Sequence, residues 1–126
     1  MNKYILVVDD NAQMRSLLQV VLEGEAYVVD TASNGLIVLD KIVHQQAMPD
    51  VILLDLHMPG MNGLQLIEAL RQLEEAWLDA IIALSADMNA LQQASGLGVR
   101  RCLAKPFDLE RLLELVSTPA GCLHQC

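Results

Sequence analysis

Val51-Ile52-Leu53-Leu54-Asp55-Leu56-His57-Met58-Pro59-Gly60 decides how the rest of the chain is read. An unbroken apolar run of strand length ends in one carboxylate, and Pro59-Gly60 then turns the chain ahead of an amphipathic segment. A strand apolar at every position is buried on both faces, as parallel strands inside α/β sheets are. Open α/β sheets place their chemistry at the C-terminal ends of the strands, and here that end carries Asp55.

Upstream, Tyr4 to Val8 reads as a first buried strand, followed at once by Asp9-Asp10-Asn11. These three residues are candidate N-caps, and Asp10 with Gln13 has capping-box spacing. Met14, Leu17, Leu18, Val21 and Leu22 predict a helix over 12–23, with Gly24 as its stop. The run from Ala26 to Ala32 is mixed in character and suits an edge strand. Ser33-Asn34-Gly35 starts a second helix, with Leu36, Leu39, Ile42 and Val43 on one side, ending before Pro49.

Downstream, Leu66, Ile67, Leu70, Leu73 and Trp77 mark the stripe of a third helix. Ala80 to Leu84 is a fourth strand closed by Ser85. Asp87 to Ser95 is a short helix with Met88 and Leu91 inward, and Gly96 and Gly98 bracket its end. Val99 to Ala104 is a fifth strand whose two arginines place it near an edge or leave one side wet. Lys105-Pro106-Phe107-Asp108 leads into a last helix capped by Asp108, with Leu109, Leu112, Leu113 and Val116 in phase. Strand and helix alternate five times with short connections, which predicts an α/β domain: a parallel sheet covered on both faces by helices. The domain is expected over 1–118, and 119–126 reads as a frayed tail or the start of a linker.

Composition agrees with a single domain of 126 residues that buries roughly two thirds of its unfolded surface. Hydrophobic residues at 53% and aromatics at 3% call for an aliphatic core. A formal charge of -8 argues against direct nucleic-acid binding and favours a divalent cation or a basic protein surface as partner. The N-terminus is too short and too soon acidic for a signal peptide, and no run is long enough for membrane insertion, so a cytoplasmic location is expected. Cys102, Cys122 and Cys126 are an odd number and read as free thiols in a reducing compartment. Cys122-Leu123-His124-Gln125-Cys126 falls short of a structural zinc pattern.

Parallel neighbours would bring the polar strand ends together: Asp9 and Asp10, Asp55, Ser85, and Lys105 just past the fifth strand. Grouped carboxylates repel one another unless a cation neutralises them, and all-oxygen ligation suits Mg²⁺. Asp55 is then placed to attack phosphorus, with Lys105 offsetting charge on phosphoryl oxygens and the Ser85 hydroxyl donating to one of them. Taken singly, each has a plainer reading: Asp10 a cap, Asp55 and Ser85 turn formers, Lys105 a solvated lysine. Their joint placement on separate strand ends is what carries the site.

These residues resemble the receiver domain of two-component response regulators, over Lys3 to about Val116. The resemblance rests on Asp9-Asp10, the Asp55 to Gly63 segment, Ser85-Ala86 and Lys105-Pro106-Phe107. It implies a flavodoxin-like, CheY-like fold with strand order 2-1-3-4-5. It implies that Asp55 takes a phosphoryl group from a histidine kinase or histidine phosphotransfer protein, with Asp9, Asp10, Asp55 and the His57 backbone carbonyl around Mg²⁺. Ser85 would move toward the phosphoryl group and Lys105 would pair with it. Autodephosphorylation would reset the switch, a self-directed chemistry that leaves the chain a signalling domain and not an enzyme. His57 and Asp87 would modulate the lifetime of the phosphoryl group, and Asp87 should disfavour anionic small phosphodonors. Phosphorylation would act on the face made by the Asp87–Ser95 helix, the fifth strand and the last helix, where an output domain or a homodimer partner would bind. Glu110, Arg111 and Glu114 of the last helix are candidates for the dimer contact.

Cys102 departs from the family, which places Tyr or Phe as the switch residue three positions before the lysine. Two rival readings follow. A receiver-fold module could bind proteins without phosphorylation, or an aspartyl-nucleophile phosphatase could use the same carboxylates, although tight connections leave little room for a substrate cap.

Overall fold

The structure is a computed structural model describing residues 3–44 and 48–118. The parallel strands are β1 (Tyr4–Val8), β2 (Val28–Ala32), β3 (Val51–Asp55), β4 (Ile81–Ser85) and β5 (Arg101–Ala104). They form one sheet in the order β2-β1-β3-β4-β5. The helices are α1 (Ala12–Gly24), α2 (Gly35–His44), α3 (Gly63–Leu73), α4 (Trp77–Ala80), α5 (Met88–Gly96) and α6 (Leu109–Ser117).

The sheet divides two aliphatic cores, and this explains the unbroken apolar strands. Leu6, Val8, Ile52, Leu54, Ile81 and Ala83 face a cluster closed by α2, α3, α4 and α5. Their chain neighbours Ile5, Val7, Leu53, Ile82 and Leu84 face another, closed by Leu18 and Leu22 of α1 and Leu112, Leu115 and Val116 of α6. With side chains alternating along a strand, both sets must be apolar. The register pairs Val8 with Leu54, Asp55 with Leu84, and Ser85 with Ala104, so the polar ends of these strands finish at one level.

Several local expectations are corrected. The cap of α1 is Asn11, whose side chain accepts from the backbone N–H groups of Gln13 and Met14, and Asp10 takes no part in it. Gly24 is the last residue of α1, and the left-handed position is Ala26, at φ 67°. In α2 the buried side is Gly35, Val38 and Ile42; Leu36 and Val43 are exposed, because a segment apolar nearly all round does not reveal its inner face. Trp77 leaves the α3 stripe: the chain turns extended at Glu74, exposes Leu73, and starts the separate α4. Ala80 ends α4, so β4 begins at Ile81 and includes Ser85. Met88 is exposed, and α5 buries Ala90, Leu91 and Ala94. Asp108 holds the cap position of α6 without a side-chain hydrogen bond, and Leu109 is exposed.

β5 is an edge strand, as its arginines suggested, but Arg101 is 3% exposed. Its guanidinium donates to the carbonyls of Leu115 and Thr118 at the end of α6 and of Asp79 in α4. Its neighbour Arg100 stays exposed near Asp79. Cys102 is half-buried and disulfide-bonded, which overturns the free-thiol reading there. The expected tail, with Cys122, His124 and Cys126, lies outside the described residues.

Candidate functional site

Three elements bring the acidic residues to one place. Asp9 follows β1 and is 1% exposed. Its backbone N–H donates to Ala32, its Oδ1 accepts from the Asn11 N–H, and its carbonyl accepts from Arg15 Nη1 at 2.6 Å. Asp10, next in the chain, is left exposed toward the cleft. Asp55 ends β3, and its Oδ1 accepts from the His57 N–H at 3.2 Å. One carboxylate oxygen from each of Asp9, Asp10 and Asp55 lies within 4.8 Å of the others.

Lys105 closes the group from past β5. Its Nζ is 3.4 Å from Asp9 Oδ2 and 3.5 Å from Asp55 Oδ1. Its backbone N–H donates to the Ser85 carbonyl, and the Lys105–Pro106 peptide bond is cis. Ser85 is fully buried at the end of β4, and its hydroxyl oxygen accepts from the Asp87 N–H. Asp87 caps α5 through the Asn89 N–H and lies 3.9 Å from His57 Nε2. His57 and Asp87 thus face each other across a cleft of about 490 Å³ that reaches Asp10.

The electrostatics follow from burial. Loss of solvent pushes the Asp55 carboxyl above its ordinary range, and the His57 N–H pulls the other way. Asp9 and Asp10 raise it further, while Lys105 lowers it. One ammonium faces three carboxylates, so the group remains short of positive charge. An all-oxygen donor set with an uncompensated negative charge fits a hard divalent cation such as Mg²⁺.

Two contributors, Arg15 and Asn62, escaped the sequence reading, and a third, Gly63, entered it only as the end of a motif. Arg15 fixes the Asp9 carbonyl, yet on sequence alone it is one more polar residue of an amphipathic helix. Asn62 caps α3 in a box with Gln65, a signal that Asn-x-x-Gln spacing carries. Gly63 sits against the end of β3: a Cβ there would lie 2.6 Å from Leu56 Cα and 2.9 Å from the Asp55 carbonyl oxygen.

The sequence matches the family described as "Response regulator receiver domain" over residues 5–117. The chain is a response regulator receiver domain. It is 34% identical over 116 residues to sporulation initiation phosphotransferase F of Bacillus subtilis, covering 92% of each chain. It is 42% identical over 108 residues to the transcriptional regulatory protein ResD of the same species, but there spans 42% of the relative. It spans 24% of the DNA-binding transcriptional regulator NtrC of Escherichia coli, at 34% identity. Among solved structures, a putative response regulator from Chloroflexus aurantiacus superposes with a TM-score of 0.83 at 30% identity, covering 92% of this chain and 95% of that one. The chemotaxis protein CheY4 of Vibrio cholerae gives 0.81 at 30% identity, covering 92% and 97%. This receiver domain therefore has the expected CheY-like fold, and membership of the family supports a phosphoacceptor role in a two-component system over the two rival readings. Among the described residues, no helix is long and apolar enough to cross a membrane.

Proposed function

We propose that Asp55 is the residue of this receiver that accepts the phosphoryl group, supplied by a phosphohistidine on a sensor kinase or phosphotransfer protein. The observation that carries the reading is Lys105 Nζ, which reaches Asp55 and Asp9 together where three carboxylates converge. An ionised Asp55 oxygen forms the new P–O bond as the donor's P–N bond breaks. Lys105 holds the carboxylate ionised and then takes up charge on the phosphoryl oxygens, and the Ser85 hydroxyl turns from accepting the Asp87 N–H to donating to one of them.

Asp9, Asp10, Asp55 and the His57 carbonyl are the residues that would hold Mg²⁺, which when bound neutralises the carboxylates and draws charge from the phosphoryl group. In the reverse direction, water attacks phosphorus, the P–O bond to Asp55 breaks, and inorganic phosphate leaves with the carboxylate restored. His57 and Asp87 border the cleft through which that water arrives. This chemistry is directed at the domain's own side chain, so the chain acts as a switch and not as an enzyme with a separate substrate. The apolar groove of about 440 Å³ along Met14, Leu17, Phe107 and Leu109, with Lys105 at its margin, is the surface on which the phosphohistidine-bearing partner would rest. Output, through an attached domain or a second copy, is assigned to the face of α5, β5 and α6, and the location is taken to be the cytoplasm.

Intact mass after incubation with Mg²⁺ and acetyl phosphate tests the reading. One added phosphoryl group, absent in Asp55→Asn, is expected. An unchanged mass in the parent, or labelling that persists in the variant, would overturn it.

A further inference from the structure

We infer that Arg15 is a positioning residue for the divalent-cation site: by holding the carbonyl of the peptide that joins Asp9 to Asp10, it sets the direction in which the Asp10 carboxylate meets the ion. The role rests on the reading of Asp9, Asp10 and Asp55 as the residues that hold Mg²⁺.

The two acidic neighbours are held very differently. Asp9 is 1% exposed, and its carboxylate is fixed twice, by the Asn11 N–H at 2.9 Å from Oδ1 and by Lys105 Nζ at 3.4 Å from Oδ2. Asp10 is exposed, and among the described residues no hydrogen bond or ion pair holds its carboxylate. Its direction is therefore inherited from the main chain, which is leaving the sheet at this point. Val8 is the last residue of β1 in register, opposite Ala32 and Leu54, and the Asp9 N–H makes the final bond to the Ala32 carbonyl. The next peptide plane, between Asp9 and Asp10, is past the ladder. Arg15 Nη1 holds it, donating to the Asp9 carbonyl at 2.6 Å, in the short range of charge-assisted hydrogen bonds.

The helix sets the reach. Arg15 lies one turn into α1, with its own N–H on the Asn11 carbonyl. Helix side chains lean toward the N-terminus, so its side chain runs back past the Asn11 cap to the end of β1. The guanidinium makes no ion pair with a carboxylate among the described residues, unlike Lys105, and so does not serve as a second counter-ion. That separates two roles by sign. A positive charge acting only through space repels a bound cation, and its removal would tighten Mg²⁺. A group that aims a ligand improves binding, and losing such an outer partner typically costs 10–100-fold in metal affinity.

The test is calorimetric Mg²⁺ titration of the full chain, as the parent and as Arg15→Met, which keeps most of the stem and removes both donors and charge. The Kd of the variant should rise by about tenfold. Arg15→Lys, with one ammonium on a shorter reach, should fall between the two. In acetyl phosphate labelling the half-saturating Mg²⁺ concentration should rise by the same factor, with the rate at saturating Mg²⁺ close to the parent's. Melts with chelator present establish that each variant is folded. An unchanged or lower Kd in Arg15→Met would overturn the positioning role. A loss of rate that saturating Mg²⁺ does not restore would assign Arg15 to the phosphoryl group and overturn it equally. A parent that binds no Mg²⁺ would overturn the metal reading itself, and this role with it.

Discussion

Lys105 Nζ stands 3.5 Å from Asp55 Oδ1, although the two come from strands separated in the sheet by β4. The contact exists because β3, β4 and β5 end at one level, fixed by the Asp55–Leu84 and Ser85–Ala104 register pairs. A half-buried ammonium beside a buried carboxylate lowers the cost of keeping that carboxylate charged. Lys105→Met removes the ammonium and keeps most of the stem. Its labelling by acetyl phosphate should slow by about a hundredfold or more, as when one preorganised transition-state donor is lost. Intact-mass time courses check this, and a rate equal to the parent's would remove Lys105 from the mechanism.

Asp55 makes the metal-free domain less stable at neutral pH than at mildly acidic pH, as far as this one group is concerned. Burial raises its folded pKa above the unfolded carboxyl value, so the folded state holds the proton more tightly. Its favourable contribution is complete below the unfolded value and is lost as pH rises through the raised folded one. Asp55→Asn mimics the protonated form and should stabilise the metal-free protein by about 1 kcal/mol at pH 7. Urea titrations with chelator present measure this; a less stable variant would show that the charge is not strained.

Mg²⁺ should stabilise the parent through the acidic cluster. Binding to the folded state alone adds RT ln(1 + [L]/Kd), about 2.7 kcal/mol at a hundredfold excess over Kd. Asp10→Asn keeps the Asn11 cap of α1 and should abolish most of that gain, leaving the metal-free melting temperature equal or higher. Thermal melts with and without Mg²⁺ decide it, and an undiminished shift in the variant would place the ion elsewhere.

Gly63→Ala should destabilise the fold by roughly 1–3 kcal/mol, the usual cost of overpacking. Its methyl would meet the backbone of Leu56 at 2.6 Å, and backbone cannot rotate away as a side chain can. The same displacement moves the Asp55 peptide, so phosphorylation should slow together with stability. Denaturant midpoints and labelling rates, measured on the same preparation, check the pair.

Strand identity was legible because a strand buried on both faces leaves a continuous apolar run: β1, β3 and the body of β4 fall where such runs fall. With the strands placed, Asp9, Asp10, Asp55 and Lys105 could be expected at one edge, and they are found there. Helix faces were less legible. Leu36 and Val43 fit a helical stripe as well as Val38 does, and only packing against α3 and the sheet selects among them. Trp77 fitted the α3 phase, but the connection to β4 required the chain to turn before it. Arg101 was unreadable as an interior residue because its partners are main-chain carbonyls, which leave no mark in sequence.

Ile81 and Ala83 serve one core while Ile82 and Leu84, alternating with them on the same strand, serve the other. The sheet is thus a diaphragm: among the described residues the buried side chains fall into two separate clusters, one on each face. Between α1 on one side and α5 on the other stand the strands whose ladder also carries Asp55 and Ser85.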